Sequence, residues 1–472
     1  MVTLDTLKSN FIKAINEKNN MGSRFSLRLF LLLSIKLLLI SAFILSCSES
    51  VSNNEVTFSG TVTLEGETDF SGVTVSLYEP VELDTALVRI NEQYPNIGVQ
   101  ISQETEFDHR AVDSFDNPLE AVATTTTSAD GSWQIKVEEG VYNVVVEKEG
   151  FGWKYEYEAE YSKDLSSVLK PEIVLSGEYF NSLQIAAYSF VLIESKTIFN
   201  FGTILQVEKG SIIRFDEDCK IEIKGEILLN GTSDEPIHFI SKMAENYGEL
   251  SLKQTTSFMV NNTIFRDTEF GIFFSTVSNG SIEKVYFRGN KFGIGGFNSS
   301  NIDIKNCAFI ECEDGVNLDK SSFSIQKNIF YHNSNGILSQ ENSNTTIKNN
   351  LFEKSQIYGV SFNFGRSPGS YTHLLNHTIT FNDFAGNNEH LYVGRIAKCI
   401  TNNNNFYTIA GNYVVTDGIS YVDTLDFKNN YWSTIDGGIL EQKIIDKNDR
   451  IGSFNEGPIV NYTEFSANPI VW

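Results

Sequence analysis

The sequence predicts an all-β protein in which an N-terminal β-sandwich precedes a parallel β-helix, a solenoid whose coils stack their strands in register. Two observations support this prediction. Between residues 55 and 177, three short segments alternate apolar and polar residues with a period of two, as half-buried strands do. From residue 178 to residue 472, apolar residues and glycines recur about every 22 positions, as in a solenoid of similar coils.

The composition excludes some functions before any motif is considered. The chain has 472 residues, 60 acidic against 36 basic, and a formal net charge of −24. Nucleic-acid-binding proteins need clustered cations that face phosphates, so this balance argues against them. A protein at a cell surface fits the charge better, including one that gathers divalent cations.

Residues 1–47 have the pattern of an export signal. A basic stretch at residues 24–36 precedes the apolar run Leu37–Leu45, and Met21 is a candidate start because residues 21–47 have ordinary signal length. An uncleaved membrane anchor is the alternative, but Lys36 lies within the apolar stretch, where a charge is unfavourable.

The apolar run ends in Ile44-Leu45-Ser46-Cys47, which resembles the lipobox of bacterial lipoproteins. The resemblance implies that Cys47 is the lipid-attachment site and that the protein contacts the membrane through this anchor. It also implies an exported lipoprotein of the outer membrane, with exposure at the cell surface as one orientation and with residues 48–54 as a linker.

The segment from 55 to 177 is expected to be the sandwich. Its alternating runs are Val73–Leu77, Trp133–Val137 and Tyr142–Val146, and the tight-turn pair Asp130-Gly131 precedes the second. In order and spacing these runs resemble the carboxypeptidase regulatory-like, or prealbumin-like, family. That resemblance implies a spacer or a non-catalytic binding module and brings no catalytic residues with it.

One part of this segment departs from that family. An insert at residues 79–122 stands where the family has a short connection. Within it, Leu83–Tyr94 is compatible with a helix. The sequence assigns the insert no role.

The solenoid prediction depends on four columns of residues that recur together. They are Val260, Ile282, Ile304, Ile325 and Ile347; Phe265, Phe287, Phe309, Phe330 and Phe352; Gly271, Gly293, Gly315, Gly336 and Gly359; and Ile272, Ile294, Val316, Ile337 and Val360. Coils that stack at about 4.8 Å would turn each apolar column into an interior ladder. Each glycine would mark a bend where a Cβ obstructs the chain or φ is positive.

Two flanking segments carry a more specific resemblance. Gln206–Ser241 contains a Gly231-Thr232 pair followed by Pro236-Ile237, and Asn429–Trp432 is followed by Gly457–Val460. Both resemble coils of right-handed parallel β-helix (pectin-lyase-like) repeat proteins. That family includes polysaccharide lyases, glycoside hydrolases, epimerases, adhesins and structural proteins, so the fold does not choose a function.

One line of polar residues is a candidate catalytic cluster. Two positions after successive phenylalanines stand Glu311, His332 and Lys354, an acid, an imidazole and an amine about 5 Å apart if the coils stack. Glu311, Glu313 and Asp314 are weak candidates for binding Ca²⁺, and no other cofactor is expected. The alternative is a solvated turn that carries ordinary charges.

A second set of residues is a candidate binding face for polysaccharide. It occupies alternate strand positions after the glycines and should point outward, where aromatic and amide groups can contact sugars. Its members are Phe273, Phe297, Asn317, Asp319, Gln340 and Asn363. The alternative is that this face is partly covered by the segment Gly365–Asn388 or by the insert.

The remaining cysteines and histidines show no recognisable metal-binding spacing. They are Cys219, Cys307, Cys312 and Cys399, with His238, His373, His377 and His390. The cysteines are expected to be small buried apolar residues, although a disulfide between two of them is open in an oxidising compartment.

Three functions remain open from the sequence. The preferred one is a surface lipoprotein that binds a polysaccharide or another surface without catalysis, because no compelling catalytic set is present. The second is a polysaccharide lyase or glycoside hydrolase that uses the line of Glu311, His332 and Lys354. The third is a structural or adhesive role.

Overall fold

The computed structural model of the chain describes residues 54–108, 110–112, 117–242, 248–255, 258–340, 343–363, 375–394, 397–407, 410–417, 423–449 and 458–472. Within these ranges the side chains of residues 363, 375 and 397 are not described. The chain from Val56 to Trp472 forms one compact unit.

The N-terminal part is a β-sandwich, as predicted. Its strands are β1 (Glu55–Leu64), β2 (Thr74–Tyr78), β3 (Ala123–Thr126), β4 (Ser132–Glu138), β5 (Val141–Lys148), β6 (Gly152–Glu160) and β7 (Ser167–Leu169). One sheet has the order β4-β1-β7 and the other β3-β2-β5-β6. Strict alternation along β4 buries Trp133, Ile135 and Val137 against Val75 and Val144 of the facing sheet.

The insert between β2 and β3 contains two helices. They are α1 (Thr85–Gln93) and α2 (Gln103–Glu106). The carboxylate of Asp84 accepts a hydrogen bond from the Ala86 amide and caps α1. This confirms the helix expected within residues 83–94.

The solenoid follows β7 and begins with a strand at Ile173, slightly before the boundary at residue 178 expected from the sequence. Its strands, in chain order, are β8 (Ile173–Tyr179), β9 (Leu183–Ile185), β10 (Phe190–Phe199), β11 (Ile204–Glu208), β12 (Ile212–Phe215), β13 (Lys220–Ile223), β14 (Glu226–Asn230), β15 (Ile237–Ser241), β16 (Glu249–Lys253), β17 (Phe258–Arg266), β18 (Phe270–Ser275), β19 (Ser278–Arg288), β20 (Phe292–Phe297), β21 (Ser300–Lys305), β22 (Ala308–Ile310), β23 (Asp314–Asp319), β24 (Ser322–Gln326), β25 (Ile329–Tyr331), β26 (Asn335–Gln340), β27 (Thr346–Lys348), β28 (Leu351–Glu353), β29 (Tyr358–Asn363), β30 (Leu375–Thr380), β31 (Asp383–Ala385), β32 (Glu389–Val393), β33 (Ala397–Asn402), β34 (Asn405–Phe406), β35 (Val414–Thr416), β36 (Thr424–Asp426), β37 (Asn430–Tyr431), β38 (Ile444–Ile445), β39 (Ile459–Asn461) and β40 (Phe465–Ser466). The last coils also contain α3 (Gly437–Lys443) and a short 3-10 helix, Lys447–Asp449.

These strands pair in parallel into three long sheets that form the walls of the solenoid. Sheet I contains the strands with the phenylalanine column, among them β22, β25, β28 and β31. Sheet II contains the strands that follow the repeated glycines, from β18 and β20 through β23, β26, β29 and β32. Sheet III contains β21, β24, β27, β30 and β33, with the first half of β19.

The phenylalanine ladder is confirmed and is longer than the sequence columns. Neighbouring rings stack with centroids 4.4–5.3 Å apart from Phe239 to Trp432. The rings in order are Phe239, Phe265, Phe287, Phe309, Phe330, Phe352, Phe384, Phe406 and Trp432. This stack fills the interior beside sheet I.

Buried asparagines support the turn between sheets III and I. The side-chain oxygen of Asn382 accepts a hydrogen bond from the backbone amide of Asn350 at 2.9 Å, and Asn404 does the same for Asn382 at 3.0 Å. The Nδ2 group of Asn350 donates to the carbonyl of Ile325 at 3.0 Å. These asparagines form a ladder along the axis, and it satisfies buried turn amides.

Candidate functional site

The outer surface of sheet I is covered by the insert. Apolar side chains of α1 and of the segment after it pack on outward-facing residues of sheet I, and each buried member is at most 5% exposed. The insert contributes Leu87, Ile90, Ile97 and Ile101, and sheet I contributes Ile264, Tyr286, Ala308, Ile310, Ile329, Tyr331 and Leu351. The insert therefore fixes the sandwich to the solenoid and removes this part of sheet I from the surfaces that a ligand can reach.

Polar contacts reinforce the same interface. Each joins a side chain of the insert to one on sheet I. The pairs are Arg89 with Glu353, Tyr94 with Asp383, Asp84 with Tyr331, and Glu106 with Arg288 and Tyr286. Because the charged members are paired, burying them here is tolerated.

The C-terminal residue closes the far end of this interface. The ring of Trp472 lies 6.1 Å from that of Tyr94, and its Nε1 group donates to Asp383 at 3.0 Å. Asp383 thus receives hydrogen bonds from both the insert and the end of the chain.

The predicted catalytic line lies at the edge of the covered sheet. Glu311, His332 and Lys354 follow strands of sheet I in the left-handed backbone conformation, with φ of 55°, 56° and 56°. They occupy equivalent turn positions on successive coils, and the structure brings Oε1 of Glu311 to 3.8 Å from Nδ1 of His332. The amino group of Lys354 instead donates to the hydroxyl of Tyr331 at 2.9 Å.

Glu311 and Lys354 make the contacts that charged side chains at a surface turn ordinarily make. The carboxylate of Glu311, 43% exposed, lies 3.1 Å from the guanidinium of Arg288. The hydrogen bond with Tyr331 raises the pKa of Lys354, so this amine is held protonated rather than prepared to accept a proton. A catalytic role for the line stays a prediction, and these contacts give it no support.

The candidate binding residues lie together on the outer side of sheet II, called here the sheet II face and formed by β18, β20, β23, β26 and β29. Side chains form three rows along the solenoid axis, because outward positions of each strand pair with the same positions of the next. The rows are Phe270, Phe292, Asp314, Asn335 and Tyr358; Phe273, Gly295, Asn317, Leu338 and Ser361; and Ser275, Phe297, Asp319, Gln340 and Asn363. The backbone places Asn363 in this register, but its side chain lies outside the described part.

One end of the sheet II face is aromatic. The rings of Phe270 and Phe292 stack with centroids 4.7 Å apart, and Phe273 lies 5.0 Å from Phe270. Both Phe270 and Phe273 lean over Gly295, where a Cβ would come within 2.7 Å and 2.9 Å of their rings. Phe297, on the same strand as Gly295, is 41% exposed. Phe270, Phe273 and Phe292 contact one another, and Phe297 lies two residues beyond Gly295 on the same face. These four rings are called here the aromatic patch.

The next coils of the same face are polar. The carboxylate of Asp314 accepts hydrogen bonds from Asn317 at 2.6 Å and from Asn335 at 2.8 Å, and Gln340 donates to Asn317 at 3.4 Å. Asp314 is 4% exposed, and burial raises its pKa. The hydrogen bonds fix the orientation of these amides before any ligand arrives.

Sequence reasoning missed the first row of this face. Phe270, Phe292, Asn335 and Tyr358 were not considered, and Asp314 was considered only as a calcium ligand. Each of these residues stands immediately before one of the repeated glycines, and that position was the available signal.

The expected covering of the sheet II face is not found in the described chain. The insert lies on sheet I, and residues 375–388 form β30 and β31, which belong to the walls of sheets III and I. Residues 365–374 of the segment named above lie outside the described residues.

The calcium candidates are not gathered into a site. Within the described ranges, no group of three or more His, Cys, Asp or Glu side chains is placed to hold a metal ion. Glu311 lies against Arg288, Asp314 binds amides, and Glu313 is exposed.

The histidines are dispersed through the solenoid. His238 and His390 are buried, and His377 stacks on Phe362 with centroids 3.8 Å apart. His373, like Cys47 of the proposed lipid anchor, lies outside the described residues.

The four cysteines of the solenoid are buried free thiols. Burial raises the pKa of Cys307, Cys312 and Cys399 to about 12, so these groups stay protonated and unreactive. This confirms that they are small apolar residues of the core.

Comparisons with known proteins agree with the fold. Residues 226–376 match the family model described as the right handed beta helix region. No curated protein matches the chain. In the part of the chain that is described, no helix is both long and apolar enough to cross a bilayer.

Two solved structures share low similarity with the chain. The catalytic unit of the thermostable GH87 alpha-1,3-glucanase from Streptomyces thermodiastaticus strain HF3-3 is 10% identical, with a TM-score of 0.39 over 89% of either chain. The Family 28 exopolygalacturonase of Yersinia enterocolitica is 9% identical, with a TM-score of 0.30 over 81% of this chain and 94% of the other. Neither similarity identifies a function.

The family match and the three stacked parallel sheets together establish the architecture. The sandwich precedes the matched region, and the repeat continues on both sides of it. The chain is a right-handed parallel β-helix protein that carries an N-terminal β-sandwich.

Proposed function

We propose that the protein is an outer-membrane lipoprotein, exposed at the cell surface, that binds an extended polysaccharide along the sheet II face without cleaving it. One observation carries the proposal: the aromatic patch is followed, along the solenoid axis, by the fixed amides and carboxylates around Asp314. The motif that ends in Cys47 supports the anchor.

The chemistry of this face suits a sugar chain. Pyranose rings present apolar C–H faces that pack on aromatic side chains, and hydroxyl groups that bond to amides and carboxylates. Coils stack at about 4.8 Å, close to the length of one sugar unit, so a chain parallel to the axis meets a comparable position on each coil. A stacked sheet is also rigid, which lowers the entropy lost on binding.

The charge of the face favours a neutral glycan over a polyuronate. Asp314 and Asp319 both lie on the face, and the chain has a formal net charge of −24. A polyanion would therefore be repelled unless cations bridge it to the protein.

A glycoside hydrolase is the second candidate, because the raised pKa of Asp314 is a property of general acids. The other carboxylate of the face on the same strand, Asp319, lies five residues further along β23, which is about 16 Å at 3.3 Å per residue. Paired catalytic carboxylates are separated by roughly 5–9.5 Å. This separation counts against Asp314 and Asp319 as a catalytic pair, and we therefore propose binding rather than hydrolysis at this face.

The test is retention of soluble polysaccharides by the full-length protein in affinity electrophoresis, with neutral and uronate-containing polymers, with and without Ca²⁺. The double variant Phe273→Ala/Phe297→Ala should lose retention of the polymer that the wild type binds. Phe180→Ala/Phe201→Ala is the matched control, since these rings are 73% and 63% exposed but lie outside the sheet II face. Retention unchanged in the first variant would remove the sheet II face from the proposal.

Incubating the protein with the same polysaccharides and analysing the products distinguishes the remaining functions. New reducing ends or unsaturated uronates, lost in Asp314→Asn, would make the protein a degrading enzyme. If product formation were lost in Glu311→Ala or Lys354→Ala, the chemistry would instead lie at the line of Glu311, His332 and Lys354. Neither product nor retention on any polymer would favour a structural or adhesive role.

A further inference from the structure

A second concave site lies far from the sheet II face in sequence, where the sandwich, the insert and the first solenoid coils meet. It is a cleft of about 650 Å³, called here the β6 cleft, lined by residues of β6, β7, α2 and the segments around Tyr188 and residues 232–238. Clefts of this size enclose small ligands in many proteins.

One wall of the β6 cleft is aromatic. Trp153, Tyr155 and Tyr157 lie at alternate positions of β6, and all three line the cleft together with Tyr188. The amino group of Lys154 lies 4.4 Å from the centroid of the Tyr188 ring. The protein thus already places one of its own ammonium groups on an aromatic face in this cleft.

The cleft is also lined by carboxylates, and some of them are paired with lysines. Glu235 pairs with Lys209 and accepts a hydrogen bond from Tyr188, while Glu156 pairs with Lys163. Among the described residues, Glu104 and Asp234 have no lysine, arginine or histidine partner.

The pKa of Glu104 reflects burial and the excess of negative charge in the cleft. Burial raises its pKa to about 7, and the neighbouring charges of Asp234, Glu235 and Glu156 act in the same direction. The glutamate is therefore partly protonated near neutral pH, because it is largely buried and its charged neighbours among the described residues are carboxylates.

The lysines that line the cleft do not neutralise Glu104 or Asp234. Lys209 is paired with Glu235, Lys170 donates to the carbonyl of Ala187, and Lys154 lies on Tyr188. His238 is 4% exposed. The charge missing from the cleft is one positive group beside Glu104 and Asp234.

We propose that the β6 cleft binds an organic ammonium group carried by a sugar, with the carboxylates of Glu104 and Asp234 facing the ammonium and the β6 rings contacting the sugar. A metal ion fits less well, because the described residues contain no cluster of three or more carboxylate, imidazole or thiol groups placed to hold one. Aromatic rings combined with carboxylates are a recurrent way to recognise organic cations. This site does not depend on the sheet II face.

The probe is a glucosamine tetrasaccharide titrated into the full-length protein by calorimetry near pH 7, in two buffers of different ionisation enthalpy. The incoming ammonium ionises Glu104, so the wild type should release a fraction of a proton more than Glu104→Gln does, whatever proton the amine of the sugar itself takes up. In Glu104→Gln the affinity should also fall about tenfold, as expected for the loss of one charge-assisted hydrogen bond. Asp234→Asn should weaken binding in the same way.

Matched controls separate this site from general charge effects and from the sheet II face. Glu67→Gln removes one negative charge from an exposed position outside the cleft and should bind as the wild type does. The titration is repeated in the Phe273→Ala/Phe297→Ala background, which removes any sugar held by the sheet II face. If the preference for the charged sugar were lost in that background, the site would move to sheet II and the proposal would be overturned.

Comparison with an uncharged sugar also tests the proposal. The fully N-acetylated tetrasaccharide, which lacks the charge, should bind at least about tenfold more weakly. Equal affinity of the two sugars, or unchanged affinity in Glu104→Gln, would show that no ammonium is recognised at the β6 cleft.

Discussion

Gly293 lies against the ring of Phe309 in the next coil, so closely that a Cβ on Gly293 would come within 2.7 Å of Cδ1 of that ring and 2.6 Å of the carbonyl oxygen of Gly315. The other repeated glycines have the same relationship to the coil that follows each of them. A Cβ would approach the next phenylalanine within 2.7–3.1 Å at Gly271, Gly315, Gly336 and Gly359. Of the two reasons expected for this column, the structure supports steric obstruction, since none of these glycines has a positive φ.

Gly293→Ala should therefore destabilise the solenoid. The methyl group must displace either a buried ring or a backbone carbonyl, and overpacking of this kind destabilises by about 1–3 kcal/mol. Urea unfolding followed by circular dichroism measures the change. Gly437→Ala is the control, because no atom lies within 4 Å of a Cβ there; equal stability of the two variants would contradict the steric explanation.

Asn350→Ala should be destabilising for a different reason. Its side chain accepts from the amide of Asn328 at 2.9 Å and donates to the carbonyl of Ile325, all in the dry interior. Leaving these groups unpaired should lower the free energy of unfolding by about 1–3 kcal/mol or more. Asn388→Ala, at an exposed turn, should change it much less, and a similar loss in both variants would mean that the ladder adds no stability.

The solenoid was predictable from the sequence because its stabilising contacts repeat. Phenylalanine and glycine columns at a constant step report directly which residues stack. The columns end where the step changes: Phe384 follows Phe352 by 32 residues instead of about 22, yet the two rings stack at 4.9 Å. A constant period cannot detect a ladder member that lies beyond an insertion.

The sites were predictable only in part. Alternation along a strand placed Phe273 and Phe297 outward, but the local bend at each glycine also turns Phe270 and Phe292 outward, which simple alternation does not show. The packing of Ile90 on sheet I joins segments far apart in the chain, and it leaves no periodic signal. The β6 cleft depends on the same long-range packing, so Glu104 was not recognised.

The stability of the protein should fall as pH rises through 7, in part because of Glu104. Its pKa is raised from 4.5 to about 7 in the folded state, so the folded chain holds a proton that the unfolded chain releases. The associated stability is complete below about pH 4.5 and lost as pH rises through about 7. Glu104→Gln should remove this loss.

The measurement is urea unfolding of both proteins at about pH 5 and about pH 8. The variant should gain roughly 1–3 kcal/mol relative to the wild type between these values, the range being reduced because Glu104 is not fully buried. Glu67→Gln should follow the wild type. Parallel profiles for wild type and Glu104→Gln would contradict the assignment.

His377 should act in the opposite direction, at acid pH. Burial lowers its pKa from 6.5 to about 3, so the unfolded chain binds a proton that the folded chain does not. Stability is therefore complete above about pH 6.5 and lost as pH falls toward about 3. Both ring nitrogens are also buried without a hydrogen-bond partner among the described residues.

His377→Phe should reduce this acid sensitivity and keep the stacking on Phe362. Unfolding midpoints between about pH 6 and pH 4 provide the measurement. Ile379→Val, a neighbouring buried change without an ionisable group, should lower stability by about 0.5–1.5 kcal/mol at every pH. A His377→Phe profile as steep as the wild-type profile would assign the acid sensitivity to other groups, such as His390.

The insert should behave as a structural brace, and α1 offers a matched pair of residues to test this. Ile90 is fully buried against sheet I, whereas Val88 on the same helix is 36% exposed. Ile90→Ala should lower the free energy of unfolding by about 2–4 kcal/mol and expose the insert to limited proteolysis, because the lost side chain leaves a cavity. Val88→Ala should leave both properties nearly unchanged. If Ile90→Ala were as resistant to protease as Val88→Ala, the packing of α1 would not be what holds the insert on the solenoid, and the β6 cleft, which includes Glu104 of α2, would need another support.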